Sequence, residues 1–325
     1  MYGVELHPQP LALYDPVLER IEHLVPGEGS LADRVDAFQD RFVIPPDRLE
    51  AVMRAAINEC RRRTIAHIPL PPGEAFRLEF VTNQSWSGYN WYQGNYRSLI
   101  QVNTDFPVRL SRAVDLGCHE GYPGHHVYNM LLERLLSRGR GWVEFTVYPL
   151  YSPQSFIAEG SANYGIELAF PGTERAAFER DVLYPLAGLS SADAEAYAAL
   201  QGAMRQLSGA RFTIAADLVD GRITREQAIA LTQRYGLLSR PRAAQVVAFT
   251  EHYRAYVINY GLGQAIVRAA VEASASTPAA RWSAMWWILS GPTIPLDLGL
   301  PAAVAPAAAA PAPAAGTPAA TAPPG

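Results

Sequence analysis

A proline and a glycine, Pro123 and Gly124, sit inside the stretch CHEGYPGHH (Cys118 to His126), where three of the chain's seven histidines and a glutamate fall within nine residues. The residues before it, TDFPVRLSRAVDLGCHE, read as a helix capped by Thr104 or Asp105, with Pro107 in the first turn. That helix cannot run straight through the motif. Pro123 has no N–H to give to the carbonyl of His119, and its ring crowds that carbonyl. Gly124 accepts backbone angles that other residues avoid. The chain must bend or bulge here, and the bend decides where the histidines point.

A straight helix would keep them apart. Each residue turns a helix by about 100° and climbs about 1.5 Å. His125 would then lie about 240° round from His119, and His126 would return to the same face about 10 Å further up. Neither pair could share a zinc ion, whose ligand atoms lie about 2 Å away. A Pro-Gly bulge would absorb the extra residues and bring His125 back towards His119. Glu120 would then stand beside the ion, where a general base belongs. On spacing alone the opposing reading has equal weight: the histidines cap a helix at the surface and Pro-Gly ends it. A further carboxylate falls in FIAEGSANYGIEL, where Glu159 lies on what reads as a second helix. A Glu from such a helix would complete the His₂Glu set of zinc hydrolases, although the helix dipole alone favours an acid near a helix start. Asn163 is one turn on, placed to accept a hydrogen bond from a ligand histidine and fix its tautomer, and His126 is a second supporting candidate.

Elsewhere the pattern is mostly helical. PPDRLEAVMRAAINECRRRTIAHI has apolar residues at helical spacing, and PPGE (Pro71 to Glu74) marks a turn. FRLEFV (Phe76 to Val81) alternates as a half-buried strand does, and a second strand pattern lies near Tyr96 to Val102. From about Ser190 to Ala270 helix follows helix, with a Thr224/Gln227 capping box opening ITREQAIALTQRYG. The expected fold is mainly α (α+β), with a small antiparallel sheet before the motif helix. The expected layout is a helical region over 1–72, a motif-bearing domain over 73–300 and a disordered Ala/Pro-rich tail over 301–325.

The net charge of -4 gives no basic excess for nucleic acid. No run of 18 or more apolar residues exists, so no transmembrane segment is expected. MYGVELHPQP lacks the features of a signal peptide, which points to the cytoplasm. Two cysteines exclude a disulfide framework and suit a reducing compartment, with Cys118 read as a small core residue. CRRRT (Cys60 to Thr64) reads as a solvated helix face, and the three tryptophans of RWSAMWWILSG as late core packing.

HEGYPGHH followed by EGSANYGIE resembles the bacterial family catalogued as domain of unknown function 885, whose members carry His-Glu-x-x-Pro-Gly-His and then Glu-Gly-Trp-Ala-x-Tyr. GRITREQAIALTQRYG and EHYRAYVINYGLGQ are similar to that family's later helices, so the resemblance covers roughly residues 75 to 270. It implies a zincin-like fold, of gluzincin-like type, and metallopeptidase or related hydrolase activity. It also implies one zinc ion on His119, His125 and Glu159, with Glu120 as base. The chain departs from the pattern at Ser161, where the family has Trp, at Glu167, one residue late, and around Tyr128, where a Gln is frequent.

Hydrolysis at such a site needs a donor for the oxyanion. HYRAYVINYG offers His252, Arg254, Tyr256 and Tyr260, and a tyrosine is favoured. Trp86, Tyr89, Trp91 and Tyr96 of WSGYNWYQGNY would wall a peptide or other amide-containing substrate added to the sheet edge, or else merely cover the sheet. The alternatives are a zincin-fold binding protein without catalysis and a non-peptidase amidase. A di-iron bundle would want repeated Glu-x-x-His pairs, which the sequence lacks.

Overall fold

The structure, a computed structural model, describes residues 8–299; the segment read as a tail lies outside them. Helices α1 (Asp15–Leu24), α2 (Leu31–Asp40) and α3 (Pro46–Ile65) precede strands β1 (Ala75–Val81), β2 (Gly88–Tyr92) and β3 (Arg97–Asn103). Then follow α4 (Ser111–Leu116), α5 (His125–Leu132), the single turn α6 (Arg138–Arg140), α7 (Pro153–Ala169) and the short α8 (Glu174–Phe178) and α9 (Tyr184–Ala187). The chain continues through α10 (Ala194–Arg205), α11 (Ser208–Val219), α12 (Arg225–Gly236), α13 (Arg240–Tyr253), α14 (Gln264–Ser274) and α15 (Pro278–Ser290). The fold is mainly helical with one small sheet, as expected. Among the described residues no helix is long and apolar enough to cross a membrane.

The sheet is mixed rather than wholly antiparallel. Its order is β1-β3-β2, with β3 antiparallel to β2 and parallel to β1. GYNWY supplies the strand that changes the topology: it forms a hairpin with β3 and takes the outer edge, leaving β1 to join β3 from the other side. Gly94, Asn95 and Tyr96, all at positive φ, make that hairpin turn.

The apolar face of α3 is Leu49, Val52, Met53, Ala56, Ile57 and Cys60, at helical spacing and buried. It packs in one core with β3, α4, α5, α7 and α15. A second core joins α1 and α2 to α10 through α13, built on Leu18, Ile21, Val35, Leu200 and Ile229. The capping box of α12 forms, with Thr224 Oγ1 accepting from Gln227 N–H and Gln227 Oε1 accepting from Thr224 N–H.

Four expectations need correction. Residues 104–110 are not helical: the carboxylate of Asp105 accepts from the N–H groups of Asn83 (2.8 Å) and Gln84 (3.2 Å), closing the turn after β1, and α4 begins only at Ser111. Cys118 is a buried core residue, but it is bonded to Cys60, with the two Cα atoms 5.4 Å apart. Gly117 permits this, because a Cβ there would lie 3.1 Å from the backbone nitrogen of Ile57; α3 and the motif helix meet backbone to backbone. CRRRT is only partly a solvated face, since Arg61 reaches the buried carboxylate of Glu74. Of the α15 tryptophans only Trp282 is buried, stacked on His67; Trp286 and Trp287 are 39% and 55% exposed.

Candidate metal centre

α4 ends in a π turn, Gly117–Gly121, which carries His119 and Glu120. Tyr122 is extended, the Tyr122–Pro123 peptide is cis, and α5 opens at His125. The N–H of Gly124 folds back onto the carbonyl of Cys118 (3.0 Å). A Cβ on Gly124 would lie 1.8 Å from the carbonyl oxygen of His119, so only glycine fits. The Pro-Gly bend returns His125 to His119: their Nε2 atoms are 3.2 Å apart.

Glu159 reaches them from α7. Ser152 caps that helix, accepting from the N–H of Ser155, and Pro153 occupies its first turn. Two glycines let it come close. A Cβ on Gly160 would lie 2.5 Å from the carbonyl carbon of Gly263, in a second π turn, Asn259–Gly263. A Cβ on Gly165 would lie 2.7 Å from Cγ of Pro123. Glu159 Oε2 is then 3.2 Å from His119 Nε2, and Oε1 is 3.3 Å from His125 Nε2. A tetrahedral zinc with bonds of about 2.0–2.1 Å sets its ligand atoms about 3.3 Å from one another. Each of the three contacts has that spacing, the two imidazoles meeting different oxygens of the one carboxylate, and one ligand atom from each residue lies within 4.8 Å of the others. The buried Glu159 Oε2 also lacks a hydrogen-bond donor, despite the neighbouring imidazole. A buried carboxylate with one oxygen lacking a donor, set against two imidazole nitrogens, is a donor set that suits a divalent cation.

The charges are strongly coupled. Burial alone would raise the pKa of Glu159, but His125 and His119 hold it far below the usual carboxylate range. Burial would depress His125, yet Glu159 lifts it to about 9. Glu120 is 5% exposed, and burial raises its pKa against the opposing pull of His119 and His125. Its backbone is held by Asn90 Nδ2, which donates to the Glu120 carbonyl (2.6 Å). Gly88 leaves room for its side chain: a Cβ there would lie 3.1 Å from Glu120 Oε1.

The other candidates divide. Tyr256 donates to Glu159 Oε1 (2.5 Å), and the ring of Tyr260 lies nearly parallel to that of His119, 6.3 Å away. Burial and then the Glu159 charge push both phenols up, so both remain O–H donors. Arg254 is exposed at the end of α13, where its φ of 49° turns the chain, and is not part of the cluster. Asn163 does not hold a ligand histidine; its Nδ2 donates to the carbonyl of Tyr260 (3.3 Å). His126 faces away from the cluster, between Ser98 Oγ (2.8 Å) and Glu74 Oε2 (3.1 Å). That follows from its position about 100° round α5 from His125.

A cleft of about 1440 Å³ opens onto His119, Glu120 and Tyr260, and Trp86 lines it. Of the other proposed walls, Tyr89 packs at a tilt between Trp86 and Trp91. Strand alternation puts Gly88, Asn90 and Tyr92 towards the motif and Trp91 outward, half exposed and bonded to Gln101. Tyr96 sits in the hairpin turn under Arg138, outside the cleft. Three contributors escaped sequence reasoning: Asn90, Tyr148, whose hydroxyl donates to Ser155 Oγ (3.1 Å) near Glu159, and Arg211. The Gly160/Gly165 pair was the available signal for how closely α7 approaches.

No protein-family model matches the chain, and no curated protein matches it. It is similar in fold to a solved structure described as "the putative lipoprotein from Colwellia psychrerythraea". The TM-score is 0.64 at 18% identity, covering 91% of this chain and 51% of that one. The chain thus spans about half the length of that protein, and the likeness concerns the fold.

Proposed function

We propose that the chain is a zinc-dependent hydrolase, a metallopeptidase acting on peptide or related amide bonds, with one ion held by His119, His125 and Glu159. The observation that carries this reading is the convergence of His119 Nε2, His125 Nε2 and the Glu159 carboxylate through contacts of 3.2–3.3 Å, one oxygen of that buried carboxylate having no donor. Zinc bound there would supply Lewis acidity and lower the pKa of a water towards 7. Glu120 takes up the proton of the attacking water and returns it to the leaving amine, a role suited to a buried carboxyl with a raised pKa. Tyr260, on the cleft wall beside His119, donates to the oxyanion. Tyr256 orients Glu159 through its hydroxyl. The free edge of β2 offers backbone groups to an extended substrate beside Trp86.

The Cys60–Cys118 bond supports an oxidising compartment, against the cytoplasmic expectation, and the name of the Colwellia psychrerythraea protein agrees with that. The test of function is elemental analysis of the purified chain, followed by peptide hydrolysis. About one zinc per chain, with hydrolysis lost in Glu120→Gln while the zinc stays, is expected. Zinc without hydrolysis of any peptide would favour a binding protein, and hydrolysis of non-peptide amides alone would favour an amidase.

A further inference from the structure

Arg211, on α11, stands in the wall of the cleft that opens onto the metal cluster. Its guanidinium carbon lies 5.7 Å from the ring centroids of both Phe249 and Tyr260, within cation–π range. Two rings therefore hold the group in place. Tyr260 also links it to the site, since the same ring is 6.3 Å from that of His119.

Most of the other cleft arginines have acids to meet, while Arg281 donates instead to the carbonyl of Ala275 at 3.5 Å. Arg112 pairs with Asp115 at 3.2 Å. Arg175 pairs with Asp115 and Glu179 at 2.7 and 2.8 Å. Arg268 bonds to Glu167, and Arg205 lies in the field of Asp115, Glu167 and Glu179. Among the described residues no carboxylate pairs with Arg211, and its charged neighbour is another cation, Arg112. Arg211 is exposed to the cleft, and a guanidinium set against two rings and without a protein anion can grip a planar anionic ligand through two N–H groups at once.

We propose that Arg211 binds the terminal carboxylate of a peptide whose scissile bond lies at His119, His125 and Glu159, so that the site releases short carboxy-terminal fragments. The proposal rests on the hydrolase reading and names its substrate class. The span sets the fragment length. From the His119 ring to the guanidinium is at most about 12 Å (6.3 and 5.7 Å laid end to end), or about three residues of extended chain at ~3.3 Å each. The cleft volume of about 1440 Å³ exceeds the ~300–1,000 Å³ of small-molecule sites and leaves room for such a segment.

Equilibrium binding separates this proposal from the hydrolase reading. The zinc-loaded Glu120→Gln protein is titrated calorimetrically with three versions of one acetylated tetrapeptide: free acid, amide, and amide with Glu as the last residue. The free acid should bind about tenfold tighter than either amide, the worth of one charged hydrogen-bonded contact. Arg211→Met, with unchanged zinc content and circular dichroism, should abolish that preference, and Arg211→Lys should restore part of it. Equal binding of acid and amide, or a preference that survives Arg211→Met, overturns the proposal. Tight binding of the Glu-terminated amide places the carboxylate on a side chain and overturns the terminal assignment. Hydrolysis by the unsubstituted protein is scored separately by mass spectrometry of the fragments. A carboxylate preference without hydrolysis would refute the enzyme while leaving the Arg211 subsite standing; fragments longer than three residues would refute the subsite's geometry.

Discussion

His125 and His126 are adjacent on α5, and each faces a buried glutamate, yet the two sides of the helix differ in chemistry. On one side His125 meets His119 and Glu159 beside an open cleft, and Glu159 Oε2 has no donor. On the other side every partner is matched. Glu74 accepts from Tyr122 (2.6 Å), Arg61 (2.6 Å) and His126 (3.1 Å), and the second nitrogen of His126 bonds to Ser98. The same residue pair makes a closed structural network when its hydrogen bonds are complete and a candidate ion site when they are not. The closed network ties α3, the start of β1, β3 and α5 together directly behind the ligands, which gives the open side a fixed wall.

The sharpest way to break this comparison is to remove each histidine in turn. His125→Ala should weaken zinc binding about a thousandfold, as one of three ligands to an ion bound by roughly 12 kcal/mol is lost. His126→Ala should leave zinc affinity within about tenfold. It should cost about 3 kcal/mol of stability, because Glu74 keeps its charge in a buried site with one partner fewer. Chelator competition and denaturant melts read the two effects. Equal zinc loss in both variants would erase the distinction between the sides.

Next in size is a pH effect confined to the closed side. Burial would raise the pKa of Glu74, but His126, Tyr122 and Arg61 donate to it and bring it from 4.5 down to about 2. The folded value lies below the unfolded one, so ionised Glu74 stabilises the fold above about pH 4.5. That contribution, about 3 kcal/mol, is lost as the pH falls towards 2. Glu74→Gln should flatten this part of the stability profile measured by urea melts between pH 5 and 2. An unchanged slope would mean that the network does not hold the carboxylate charged.

The open side was the more readable from sequence. The ban on a straight helix through Pro123 and the freedom of Gly124 are local rules, and they are enough to ask for the bend that joins His119 to His125. Glu159 came with less, a carboxylate on a later helix, reinforced by the resemblance. What the sequence withheld was tertiary. Asp105 looks like a helix cap until the turn after β1 brings the Asn83 and Gln84 N–H groups to it. Cys60 and Cys118 are 58 residues apart, and nothing local says that α3 and the motif helix meet backbone to backbone at Gly117. Arg211 in GARFTIAADL reads as an ordinary helix cation; only the assembled cleft leaves it without an acid. His126 has the composition of a ligand and the direction of a core residue.

On the open side, Tyr256→Phe should sharpen the contrast by removing only the hydroxyl that donates to Glu159 Oε1. A group that steers a ligand carboxylate is worth about 10–100-fold in metal affinity. Zinc binding should fall in that range while the melting profile changes little, because the ring still fills its buried place. A loss of stability without a loss of zinc affinity would make Tyr256 part of the packing alone.

The smallest effect belongs to Ser98, the outermost member of the closed network. Its hydroxyl is the partner of His126 Nδ1 at 2.8 Å, and both residues are buried. Since Nε2 of His126 donates to Glu74, Nδ1 must accept, and the serine O–H is its donor. Ser98→Ala leaves that nitrogen unsatisfied, or drives the ring to the tautomer that abandons Glu74. Either outcome costs about 1–2 kcal/mol of stability. Zinc affinity should stay within about twofold, because no atom on the ligand side moves. The nitrogen chemical shifts of the His126 ring would report the tautomer directly. A Ser98→Ala protein that keeps the native tautomer and full stability would show that the closed side does not depend on a complete set of hydrogen bonds, and the contrast with the open side would lose its physical basis.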